Sequence, residues 1–425
     1  MVTKLNNDNN DLIKKLNSLA LALMITSACI TGVLVKISAL ANFQNNLIVL
    51  GLVFFCMFAS FIVNRKIVFP MPSMIVMGYV ILLYLATLLF QGTNCDLSGI
   101  QFVFYVIVPI YLISQSFDSE YVLRCSLYIS LISLPVINSF FVLQYEQYSQ
   151  AYMGNIYAIL SPVIIAFIHF KLYRKQANIL TKIAYVYILF VLLRILSFAN
   201  RGAVLCIVFC LLILFINSYD GEKRKKLPPV KVIAIAALFV LAAFAIVFSL
   251  PLLNALASLS KEIFGNIPSF ISKTITYLNE DDVLNGRNSI SGFTVKAIWD
   301  SPIFGHGIET FESFARKTVG KSWPYPHNYI LQLIFECGII FSALPIFFSL
   351  SLTAKTIFCR IEEKNEFAIC CTLVCINLPK LLFSTDMWMT TGFWLLITYS
   401  ILYTVKNNNC FHFLDSKGIL AKQKC

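Results

Sequence analysis

The segment PYPHNYILQLIFECG sets a histidine, His327, at the mouth of a long apolar run. Pro326 suits the first position of a helix, where its fixed φ is right and its missing N–H costs nothing. His327 then falls in the first helical turn, where the positive end of the dipole disfavours the imidazolium. A neutral imidazole near pH 7 is what a general base requires. The bland reading of the same residue is a polar cap on a membrane helix.

A second place is AYVYILFVLLRILSFANRGAVLC, two apolar runs joined by a tight turn near Ala199–Gly202. Arg201 opens the second run, with no Asp or Glu within ten residues. An arginine at membrane depth costs at least about 2.5 kcal/mol unless paired or snorkelling. The dipole at a helix start repels a cation, and an anion shared with the free backbone N–H groups resolves that conflict. A lipid phosphate would serve as well as a substrate. Arg194 lies two turns earlier and is the weaker candidate.

The third place is GRNSISGFTVKAIWDSPIFGHG. Gly286-Arg287 precedes a helical stretch, Ser289–Asp300, whose Ile290, Phe293, Ala297, Ile298 and Trp299 form an apolar stripe. Trp299 and Pro302 read as packing. Gly305 and Gly307 allow close backbone approach or positive φ, and His306 between them reads as surface or as a substrate contact. Glu280-Asp281-Asp282 could hold a divalent cation but reads better as a solvated loop.

These residues need a scaffold, and composition says what kind. Mean hydropathy is +0.78 and only 13% of the residues are charged, against about 25% in soluble domains. Runs of roughly 18 or more apolar residues recur, each able to cross about 30 Å of hydrocarbon. The expected fold is all-α and polytopic, with twelve spans: 17–39, 46–63, 68–90, 99–116, 121–143, 156–173, 180–199, 201–217, 231–253, 327–350, 367–384 and 388–405. It divides into a nine-helix membrane region (1–253), one long, partly helical loop (254–326), a three-helix membrane region (327–405) and a tail (406–425).

The net charge of +12 is a matter of topology: 22 of the 33 Lys and Arg fall on one side of these spans. Basic loops stay inside, so both termini are expected in the cytoplasm and the long loop outside. No nucleic-acid partner is implied. The first span lacks a cleavage site and reads as retained. Most of the thirteen cysteines fall inside spans, where cysteine behaves as a small apolar residue. Within the loop, Leu256, Leu259, Ile263, Phe264, Ile267, Phe270, Ile271 and Ile275 recur at helical spacing, as in a helix lying on the interface. Pro268 would kink or split it. Lys380 and Asp386 are placed to pair.

Taken together, ANRGA at a span start, GRNSISGFTVKAIWDSPIFGHG in a long loop and PHNYILQLIFECGI at the next span resemble the O-antigen polymerase and O-antigen ligase superfamily. The resemblance covers roughly residues 195–345. It implies a bacterial inner-membrane glycosyltransferase working at the periplasmic face on glycans carried by undecaprenyl pyrophosphate, with no metal or cofactor. Carried over by motif, Arg201 and Arg287 grip the donor pyrophosphate, and His327 of the His-Asn pair is essential. Asn328 and Arg194 are candidate substrate-binding neighbours, Arg194 without a secure counterpart in the family.

Charge growing on a departing pyrophosphate is held by fixed guanidiniums, and the attacking hydroxyl loses its proton to a base. The expected reaction is polymerisation of lipid-linked repeat units, with a chain-length regulator as a partner. The alternative within the family is ligation of the finished glycan to lipid A–core. Another class, a flippase or transporter, would show internal repeats and polar residues at mid-membrane in several helices, and the sequence offers neither.

Overall fold

The computed structural model describes residues 2–36, 45–64, 69–91, 95–143, 150–198, 201–220, 223–225, 233, 237, 250–267, 271–272, 275–276, 287–358, 361–383 and 385–407. The side chains of Arg194, Arg201 and Arg287 fall outside that description.

Among the described residues the regular structure is helical, apart from a short antiparallel ribbon, Ser218–Asp220 against Lys223–Lys225. The helices in order are α1 (Val2–Ile25), α2 (Ser27–Lys36), α3 (Asn45–Asn64), α4 (Met71–Gln91) and α5 (Gly99–Ile113). They continue as α6 (Ser119–Leu143), α7 (Gln150–Tyr173), α8 (Ile179–Phe198), α9 (Arg201–Ile216) and α10 (Leu250–Phe264). The chain closes with α11 (Arg287–Ile298), α12 (Phe311–Val319), α13 (Tyr329–Ile357), α14 (Lys364–Phe383) and α15 (Thr391–Asn407).

Among the described residues four helices are long and apolar enough to cross a membrane: Met71–Phe90, Tyr157–Gln176, Tyr329–Ile357 and Lys364–Leu382. The first expected span is a broken pair, α1 and α2 meeting at 62°. Shorter apolar helices occupy Leu47–Val63, Gly99–Ile113, Ile179–Leu192 and Ala203–Ile216. Large apolar side chains such as Phe55, Leu89 and Phe90 stand fully outward. Apolar surface on that scale belongs against lipid rather than water. The ninth expected span, 231–253, lies almost wholly outside the described residues.

Two buried clusters organise the bundle. The larger joins α1, α6, α7, α9 and α14, and includes Cys206, Cys210, Cys371 and Cys375 as small packing groups. The second joins α4, α5, α13 and α15 through Tyr84, Val106, Tyr329, Trp388 and Trp394. A third, smaller cluster belongs to the loop: Ile290, Ala297, Ile298 and Phe311 close over Phe335 of α13. Helix α12 was not foreseen. It ends at Gly320 in the left-handed conformation, and Glu312, Arg316 and Ser322 clasp one another beside that end.

Other loop details differ from expectation. Helix α10 stops at Gly265 (φ +73), whose N–H bonds Lys261 O at 2.9 Å, before Pro268 is reached. Pro268 itself and Glu280-Asp281-Asp282 lie outside the described residues. The stripe on α11 buries Ile290, Ala297 and Ile298 as foreseen, but Trp299 is exposed rather than packed.

Candidate functional site

Helix α13 does not begin where Pro326 suggested. Asn328, in extended backbone, is the cap: its Oδ1 accepts from Ile330 N (3.0 Å) and Leu331 N (3.3 Å). A side-chain oxygen satisfying two orphan donors outcompetes proline at the first helical position. His327 therefore sits just before the cap instead of in the first turn. Its backbone is left-handed, φ +59, a conformation that costs a non-glycine residue about 1–2 kcal/mol. Its ring meets Tyr325 edge-on, centroids 4.4 Å apart. Asn328 thus serves the helix start directly and holds His327 through the backbone.

Nine residues further on, α13 breaks. Gly338 has φ +70 and ψ 171, so the carbonyls of Phe335 and Glu336 lose their usual helical donors. The loop supplies replacements: His306 N donates to Phe335 O and Gly307 N to Glu336 O, both at 2.8 Å. In return Ile339 N donates to Pro302 O at 2.9 Å. Buried backbone groups must be paired somewhere, and here the turn SPIFGHG completes the helix. His306 serves this joint. Its ring stacks on Phe335 at 4.5 Å, leans on Phe314 at 4.6 Å, and its Nε2 lies 2.9 Å from Ala297 O.

Behind the helix start lies a buried polar network. Gln332 Nε2 donates to Asp386 Oδ1 (2.9 Å) and to Glu336 Oε1 (3.2 Å). The Trp388 indole N–H donates to Glu336 Oε2, and the Trp388 backbone N–H to Asp386 Oδ1 at 2.8 Å. Trp388 packs on Trp394 at 5.0 Å. Glu309, also buried and with φ +51, shares a hydrogen bond with Asp386, and its carbonyl accepts from Asp96 N at 3.1 Å. Burial, then the neighbouring Asp386, hold the Glu309 carboxyl well above the usual carboxylate range. Two carboxyls in contact share one proton rather than both ionise. Asp386 accordingly turns to Gln332 and Glu309, not to Lys380, which lies beside Cys206 instead.

Arg201 is the first residue of α9 and Arg287 the first residue of α11, while Arg194 lies within α8. Helix α11 packs along α13, and α9 touches α13 while packing on α14. The α9 contact lies at the far end of α13 from His327, where Asn217 Nδ2 donates to Thr356 O at 3.3 Å, so of the two arginine-led helices it is α11 that packs along the helix His327 precedes. Among the described residues, no three His, Cys, Asp or Glu side chains are grouped to hold a metal ion. Glu309, Glu336 and Asp386 come from three separate segments, and no spacing in the sequence links them.

Fold and site together define a helical membrane protein with a loop keyed into one of its long helices. Residues 183–345 match the family described as O-antigen ligase, which supports the resemblance of this part of the chain to the O-antigen polymerase and ligase superfamily. The match runs from α8 through the loop to the first turns of α13 below Gly338. No curated protein matches the chain. Members of the family are glycosyltransferase-like enzymes that act on lipid-linked glycans.

Proposed function

We propose that the chain is an O-antigen polymerase, joining repeat units carried on undecaprenyl pyrophosphate by glycosyl transfer at the periplasmic face of the inner membrane. In this reading both termini are cytoplasmic and the loop 254–326 is periplasmic. Arg201 and Arg287 bind the donor pyrophosphate. His327 takes the proton of the acceptor hydroxyl as that oxygen attacks the anomeric carbon. The bond from that carbon to pyrophosphate breaks, and its electron pair leaves on the phosphate, where the guanidiniums hold the charge.

The observation that carries the reading is the joint at Gly338. It fixes the loop to the helix that His327 precedes, and α11, which begins with Arg287, packs along that same helix. A positioned base and fixed cations are what this transfer needs, since reacting groups must be held within a few ångströms. Asn328 and Arg194 stand beside these groups as candidate substrate contacts, and a chain-length regulator is a candidate partner. The second reading, ligation of the finished glycan to lipid A–core, uses the same three residues and is favoured by the description of the matched family.

The test is a gel of lipopolysaccharide from cells lacking the gene. A polymerase leaves core bearing a single repeat unit, and the ladder returns with the wild-type chain but not with His327→Ala. Bare core with polymer still on the lipid carrier makes it the ligase. An unchanged ladder rejects both.

A further inference from the structure

Helix α13 has 29 residues, roughly 43 Å at 1.5 Å per residue, which is far more than a hydrocarbon core of about 30 Å needs. Its surface changes character abruptly at Gly338. None of the residues Tyr329–Cys337 is exposed, because the loop cluster and Trp388 enclose them. Below the break Ile339, Ile340, Leu344, Phe347 and Leu350 all stand outward, Ile340 by 62%. The stretch Ile339–Ile357 is roughly 28 Å long, close to one hydrocarbon thickness.

The loop brings its own apolar groups to this level. A Cβ on Gly338 would collide with Ile303 O, and the Phe304 and Phe341 rings lie 6.4 Å apart. Trp299 is 73% exposed and Phe304 71%, with Ile303 outward between them. Among the described residues the loop core does not include these three side chains, and the charged Lys296 and Asp300 flank Trp299 on the exposed side. Tryptophan with apolar neighbours and a charged fringe is the composition of a membrane–water boundary.

We infer that the turn Trp299–Phe304 is seated in the lipid interface, continuous with the lipid-facing side of α13. The membrane span of α13 then begins at Gly338, and its first nine residues stand clear of the hydrocarbon with His327 at their head. The occupant of the patch is lipid, at the boundary of headgroups and acyl chains. This follows from exposure and length, and it holds whatever reaction the site performs.

Full-length protein reconstituted in dioleoyl phosphatidylcholine vesicles, with or without the same lipid brominated near the headgroup end of its chains, tests the placement. Of the other three tryptophans, Trp388 and Trp394 are buried and Trp323 is half-buried against Phe293, and all three remain in W299F, so the component of emission that W299F removes is that of Trp299. The expected result is that brominated lipid quenches the wild type by a clearly larger fraction than W299F. Equal quenching in the two, with the Trp299 component lost instead to aqueous acrylamide, would place the turn in water and overturn the inference. A Trp299 component that neither quencher reaches would mean a second copy of the chain covers it, and would overturn it equally.

Discussion

Gly305 and Gly338 meet backbone to backbone: a Cβ on Gly305 would lie 2.5 Å from the Gly338 nitrogen. Both have positive φ, +72 and +70. Gly305→Ala or Gly338→Ala must therefore open the joint, since the obstructing atoms are main chain and cannot swing aside. Each should destabilise the detergent-solubilised protein by about 3 kcal/mol or more. Gly292→Ala in α11, where an added Cβ meets nothing within 4 Å, should be neutral or gain up to about 1 kcal/mol. Thermal unfolding of the three variants decides it, and equal behaviour would refute the joint.

His327 combines strain with the proposed chemistry, and two substitutions separate them. His327→Ala removes the imidazole and keeps the backbone cost. His327→Gly also relieves the left-handed backbone, so it should be more stable than the alanine variant by about 1 kcal/mol. Both should fail to restore the glycan ladder. A glycine variant that is active would remove His327 from the reaction.

Asn328 caps α13 with two hydrogen bonds, and Asn328→Ala should cost about 1 kcal/mol. Asn328→Asp keeps the acceptor and should recover the stability. If the aspartate variant unfolds as readily as the alanine variant, the cap is not what holds this helix start.

The pH dependence of Glu309 has a definite sign. Its folded carboxyl titrates above its unfolded range near 4.5, so the native state keeps a proton that the unfolded state releases. Stability from this group is complete below the unfolded range and falls as pH rises towards the folded value. Glu309→Gln cannot ionise and should gain on the wild type as pH rises above the unfolded range. Melting temperatures of the two proteins compared over that rise should diverge; parallel curves would contradict the shared proton.

Arg201→Lys and Arg287→Lys keep the charge and lose the planar fork that matches phosphate oxygens. If both grip pyrophosphate, each should weaken donor use by about tenfold or more, seen as a raised KM for the lipid-linked donor. A variant whose KM is unchanged would remove its residue from the donor site.

Much of this was written in local sequence. Hydrophobic runs marked most of the described apolar helices, and Arg201 stands at a helix start as the tight turn suggested, while the helix expected to begin at Ser289 begins at Arg287 itself. Proline chemistry misplaced His327 because a better cap, Asn328, stood two residues on. The exposure of Trp299 was missed because a helical stripe tells which residues are apolar and not whether protein or lipid covers them. Least legible was the network of Glu309, Gln332, Glu336, Asp386 and Trp388. Its members meet only because the loop, α13 and the turn before α15 fold together, and a periodicity carries no record of such meetings.

The helix break also sets an order of assembly. The turn 302–307 is synthesised before Phe335 and Glu336, so partners for their carbonyls are waiting when α13 emerges. The side chain of Glu336 is only half provided for: Gln332 precedes it, but Trp388, and Asp386 on the other side of Gln332, come last. Until α14 has crossed and turned, an acid group sits against an apolar wall with its indole donor still to be made. Chains cut short after α13 should therefore be cleared by quality-control proteases, even though every residue of the proposed reaction is already present in them.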